Sequence, residues 1–156
     1  MNDQFLDTWN THSQTVLFLL DAVEPEALPK AVKGRGVAHI FAHIHNVRLM
    51  WLKVSAPELM NGLTKIETKS KAGRGALTPD LLRPSLESSG QAIGRMFHKG
   101  AETGKIKSCQ RHLVSCFGYF IAHEWYHISE ICLTLTLVGH PLPDQVLYDL
   151  WEWNKR

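Results

Sequence analysis

The chain has 156 residues, 44% of them hydrophobic and 21% charged, which suits a single soluble domain with a core of its own. A net charge of +2 without a basic stripe excludes nucleic acid or an anionic membrane as the main partner. The apolar run near residues 113–138 is broken by His, Glu and Ser, which argues against a membrane span, and Met1-Asn2-Asp3-Gln4-Phe5 lacks the features of a targeting signal.

A cytoplasmic protein is therefore expected. Cys109, Cys116 and Cys132 form no CxxC and no even framework, so reduced thiols are expected too, with Cys116 as a small core residue.

Four long helical patterns follow one another, with no strand alternation. The first runs from about Asp3 to Val23, with Phe5, Trp9, Val16, Leu17 and Leu20 near helical spacing, and Pro25 and Pro29 close it. The second follows Gly34-Arg35-Gly36 and reaches about Val54, before Pro57. Residues 61–78, with Gly62, Gly73, Gly75 and several lysines, read as an exposed connection.

Thr78-Pro79-Asp80 resembles a helix start, with Thr78 as N-cap, and opens a third helix to about His98 in which Pro84 is an early kink. Gly100 and Gly104 mark the next break. The fourth and longest helix spans about Arg111 to Val138, with Gly139 as its stop before Pro141 and Pro143. A short helical tail, Asp144 to Trp153, ends the chain. Four amphipathic helices without a sheet predict an all-α four-helix bundle in one domain, residues 1–156.

Nine histidines are more than surface decoration requires. His123 and His127 stand one turn apart on one face of the fourth helix, a spacing that lets both imidazoles reach one divalent ion. At about 100° per residue, Cys116, Tyr119, His123, His127, Glu130 and Thr134 share a stripe. Such a polar stripe is costly to bury, and a metal relieves that cost. His39 or His43 in the second helix supplies a third ligand, and spacing does not choose between them. His45, His98, His112 and His140 read as surface or capping residues, and His12 has no assigned role.

His123-Glu124-Trp125-Tyr126-His127 also spells the HExxH of zinc proteases, in which the glutamate is the general base. The only later histidine, His140, follows a glycine turn, so a protease site is poorly supported.

Three features resemble the DinB-like family of bacterial helical bundles, grouped with the bacillithiol and mycothiol transferases. They are His43 with Trp51 eight residues on, the HxxxH pair in the last long helix, and the ending Gly139-His140-Pro141-Leu142-Pro143. The resemblance covers nearly the whole chain. It implies an up-down-down-up bundle, a homodimer, and nickel or zinc held by His43, His123 and His127.

It further implies a transferase joining a low-molecular-weight thiol to a small electrophile. An ion with an open position would bind the thiol and lower its pKa, and Tyr119 or Glu130 would handle protons. The alternative is a non-catalytic metal-binding or structural bundle. One departure stands out: relatives often continue the second motif histidine with Arg-Gly-Gln, where this chain has Ile128-Ser129-Glu130. An arginine is missing there, and Glu130 is free to orient a ligand histidine, act as a base or bond a neighbouring helix.

Overall fold

The four apolar periodicities become four long helices. The computed structural model describes residues 2–109 and 112–156; Arg111, the expected first residue of the fourth helix, lies outside them. The long helices are α1 (Asn2–Ala22), α2 (Val37–Ser55), α4 (Pro79–Thr103) and α5 (Leu113–Leu137). Two short ones, α3 (Lys71–Gly75) and α6 (Asp144–Asp149), lie in the connection before α4 and in the tail. Among the described residues the extended pairing is limited to one isolated bridge between Ile106 and Cys109. Among the described residues no helix is long and apolar enough to cross a membrane.

Contacts give the pairwise senses of the helices. Trp9 donates its indole N–H to the Gly90 carbonyl at 2.7 Å, and Arg83 pairs with Asp21 at 3.0 Å, so α1 and α4 run in opposite senses. A Cβ at Gly90 would fall 2.2 Å from the Ser13 hydroxyl oxygen, so this glycine lets the two helices close. His45 meets the Ser85 carbonyl and Arg48 the Leu86 carbonyl, so α2 and α4 run the same way. Phe5 on Phe117 and Trp9 on Phe120 set α5 parallel to α1, while Arg48 on Glu124 and Trp51 on Tyr119 set it against α2.

The core divides into two apolar clusters. One gathers Val16, Ile44, Leu86 and Ile128; the other gathers Trp9, Leu52, Ala92 and Phe120. Each long helix also buries polar side chains, among them His12, Arg48, Ser89 and Glu124, which form a polar layer. Arg48 gives Glu124 two hydrogen bonds of 2.7 Å, and the His12 ring nitrogen Nε2 lies 2.8 Å from the same carboxylate. Desolvating these charges is repaid only through such paired geometry. His12 thus has a place in the core.

Residues 61–78 are mostly exposed, as expected, but Ile66 and Leu77 within them are buried and α3 forms there. The Asn46 side chain accepts from the Ile66 N–H and donates to the Ile66 carbonyl, both at 2.9 Å, and so staples the segment to α2. His45 is no surface residue: at 1% exposure it points between the Ser85 and Thr64 carbonyls, 2.9 Å from each.

Helix α4 passes His98 and ends at Thr103, since Gly100 is a contact rather than a break, with Ile106 and Leu113 packed over it. Its N-cap is Thr78 by backbone position, but the Thr78 side chain makes no capping bond. Pro84 lies inside α4, and its missing N–H falls in the opening turns.

At the end of α5, Gly139 has φ 84°; its N–H reaches the Thr136 carbonyl and that of His140 the Leu135 carbonyl. These are the two bonds of a Schellman ending, which a glycine accommodates without strain. His112 caps the other end of α5 by accepting from the Ser115 N–H.

The cysteines differ most from expectation. Cys109 and Cys116 are joined in a disulfide, their Cα atoms 5.6 Å apart, and Cys132 alone is free. The turn after α4 brings Cys109 back against the first turn of α5, an approach that the spacing along the chain did not disclose.

Candidate metal centre

Helices α2 and α5 run antiparallel, and their facing turns carry His43 on one side and His123 with His127 on the other. The His43 ring centre lies 4.6 Å from that of His127 and 5.8 Å from that of His123. One ligand nitrogen from each ring falls within 4.8 Å of the others. These three histidines could hold a metal ion.

The His123 and His127 Nε2 atoms are 3.2 Å apart. Two nitrogens bound at about 2.0–2.1 Å to one tetrahedral ion would stand about 3.3 Å apart, so this edge is already at a coordinating separation. Three imidazoles converging in this way are a donor set that could hold a metal ion.

The surroundings orient the rings. His127 Nδ1 lies 2.8 Å from a Glu130 carboxylate oxygen, so an Nδ1–H there leaves the Nε2 lone pair facing the other two rings. Arg35 reaches Glu130 in turn, at 3.4 Å. Tyr119 stacks on His123 with its ring centre 5.7 Å away at 21°, and Trp51 packs edge-on against Tyr119. His39 is outside the triad, one turn earlier on α2.

Glu124 does not face the three histidines. It is 1% exposed and committed to Arg48 and His12 in the polar layer, so the HExxH spelling places its glutamate on the core side of α5. A general base at the triad is thus not available from Glu124. The polar stripe read along α5 divides as well: Cys116 is taken into the disulfide, while Tyr119, His123, His127 and Glu130 remain together.

Arg35 is the residue of this neighbourhood that sequence reasoning missed. Gly34-Arg35-Gly36 reads as punctuation, and a contact across 95 residues leaves no local signal. Compared with protein-family models, curated proteins and solved structures, the chain shows no match.

Burial first, then the neighbouring His127, Arg35 and His123, hold the His43 imidazole down at about 4, against an opposing effect of Glu130. The His123 ring is lowered too, by burial and then by His127 and Arg35, with Glu124 opposing. Uncharged rings are what metal binding requires. In the unfolded chain an ordinary imidazole takes its proton near pH 6.5. Between that pH and about 4 the unfolded state then binds more protons than the native state, and stability rises with pH.

The metal-free protein is accordingly expected to lose stability as pH falls from about 6.5 toward 4. Urea unfolding at pH 7.5 and 5 checks this, with His43→Asn showing the shallower dependence. Equal dependence in the two proteins would contradict it.

Proposed function

We propose that the chain is a divalent-metal-dependent transferase that joins a low-molecular-weight thiol to a small electrophile. On this reading its four long helices form an up-down-down-up bundle like that of the DinB-like proteins it resembles. The observation that carries the proposal is the convergence of His43, His123 and His127 on one point, with the nitrogens of two of them 3.2 Å apart and Glu130 behind His127. The pairwise helix senses and the resemblance support the same reading.

Nickel or zinc bound there supplies a Lewis acid that brings a thiol's pKa into the neutral range. The residues of the chain do the rest. Three imidazoles hold the ion, and Glu130, steadied by Arg35, keeps the His127 ring in the tautomer and orientation that binding needs. Tyr119, half-buried against His123, excludes water from one side and offers a phenol for proton transfer. The thiol gives its proton to solvent, a sulfur–carbon bond forms, and the electrophile's leaving group departs with the bonding electrons.

The test incubates nickel- and zinc-loaded protein with small thiols and 1-chloro-2,4-dinitrobenzene and follows thioether formation. Conjugation is expected above the metal-free background and is expected to be lost in His127→Ala. Stoichiometric metal without conjugation, for any thiol tried, would leave the non-catalytic metal-binding bundle in its place.

A further inference from the structure

Beside the triad lies an open cavity of about 600 Å³, bordered by the connection between α1 and α2, the first turn of α2, α3 and the start of α4. Its volume falls within the usual range for small-molecule sites and far exceeds that of an inorganic anion. Leu28 and Leu77 give it apolar wall, while His39, Lys71 and Arg74 give it polar wall. Among the described residues no carboxylate lines it. Glu67, whose carboxylate feels the Arg74 charge, is turned to the Ser70 hydroxyl and to the N–H groups of Lys69 and Ser70, so that Lys71 and Arg74 together leave a cationic excess on the wall. Such an excess favours a negatively charged occupant.

The cavity and the triad are neighbours on the same helix face. His39 is on the cavity wall, and His43 follows it by four residues, about 6 Å along α2. Arg35 joins the two places: its flanking residues Gly34 and Gly36 line the cavity, and its guanidinium reaches Glu130 behind His127. Burial, then Arg35, then Arg74 lower the His39 imidazole, so both arginines act on the same spot. A molecule with sulfur at the triad and an anionic end in the cavity must bridge at least that helical turn, which a two-carbon thiol cannot do.

We propose that this cavity holds the carboxylate end of the thiol whose sulfur sits at the three histidines, so that the chain selects acidic thiols of peptide size over neutral ones. The proposal rests on the thiol-transferase reading. It assigns Lys71 and Arg74 to substrate binding, His39 to the wall between the two ends, and Arg35 to the junction.

The test uses cobalt-loaded protein with glutathione and with its diethyl ester, which keeps the thiol and peptide but lacks both carboxylates. Binding is read by calorimetry and sulfur coordination by the thiolate-to-cobalt absorption band. Glutathione is expected to bind at least about tenfold tighter than the diester, and the preference is expected to vanish in Lys71→Gln/Arg74→Gln. Both substituted side chains are exposed, and circular dichroism verifies that the double variant is folded. S-methylglutathione, which has no thiol, is expected to bind metal-free protein with the same dependence on Lys71 and Arg74.

Equal binding of thiol and diester with the cobalt band present in both would overturn the cavity assignment and leave the thiol-transferase reading standing. Charge-dependent binding without the band would show an anion site but sink the thiol at the triad, and the proposal with it. No binding of either compound would overturn both.

Discussion

His123→Ala is expected to abolish stoichiometric binding of nickel or zinc. Removing a carboxylate that merely orients a ligand lowers metal affinity about 10- to 100-fold, and losing a direct ligand from a set of three costs more. His43→Ala is expected to behave the same way, whereas His39→Ala keeps its metal, because His39 faces the cavity and not the triad. The readouts are metal content after desalting and thermal unfolding with and without added metal.

Metal present at 100 times its Kd stabilises the native state by about 2.7 kcal/mol. For a domain of this size that corresponds to a rise in Tm of roughly 5–10 °C. The rise should be absent in His43→Ala and His123→Ala. Metal retained by His43→Ala and lost by His39→Ala would move the second-helix ligand to His39.

Glu124→Ala is the second substitution of large expected effect, and its mechanism is separate. It leaves Arg48, 1% exposed, without the carboxylate that takes two of its hydrogen bonds. Breaking a buried pair from one side costs about 3–5 kcal/mol, a large part of a typical domain's stability. Arg48→Met should cost a similar amount. The double variant Arg48→Met/Glu124→Leu should recover much of the loss, since an apolar pair of similar volume needs no desolvation.

Acid should act on the same place. Burial by itself would raise the Glu124 carboxyl, but the Arg48 charge and hydrogen bonds, with His12, hold it down at about 2. A depressed carboxylate stabilises the fold above its ordinary pKa near 4.5, and that contribution is lost as pH falls from there toward 2. Denaturant midpoints between pH 6 and 3 check both points. A Glu124→Ala variant as stable as the parent would rule out this account of the polar layer.

Much of this was legible in the sequence, and the illegible part has a common cause. Helical periodicity located α1, α2, α4 and α5 because each buries an apolar face, and Gly139 ended α5 as expected. His123 and His127 were readable as a pair because one helix fixes both. His43 is decided over His39 only by how α2 lies against α5, a packing fact that no local spacing contains. The disulfide, the Asn46–Ile66 staple and the burial of His45 depend on where connections return, and turn residues do not encode that return. Arg35 and the place of Glu124 went unread for one reason: a charged residue declares its partner only when the rest of the fold is in place.

The polar layer sets the terms on which α5 can be wrong. Adjacent residues of one turn, about 100° apart, reach different partners, Glu124 toward Arg48 and His123 toward His43. A slip of α5 by one position would turn the carboxylate out of the core and scatter the imidazoles in the same movement. No misthreaded chain can then keep half the arrangement. In a mixed population, a complete set of three histidines is a signature of the correctly seated molecule, and on the proposed metal reading uptake of an ion would gauge how much of a preparation has folded.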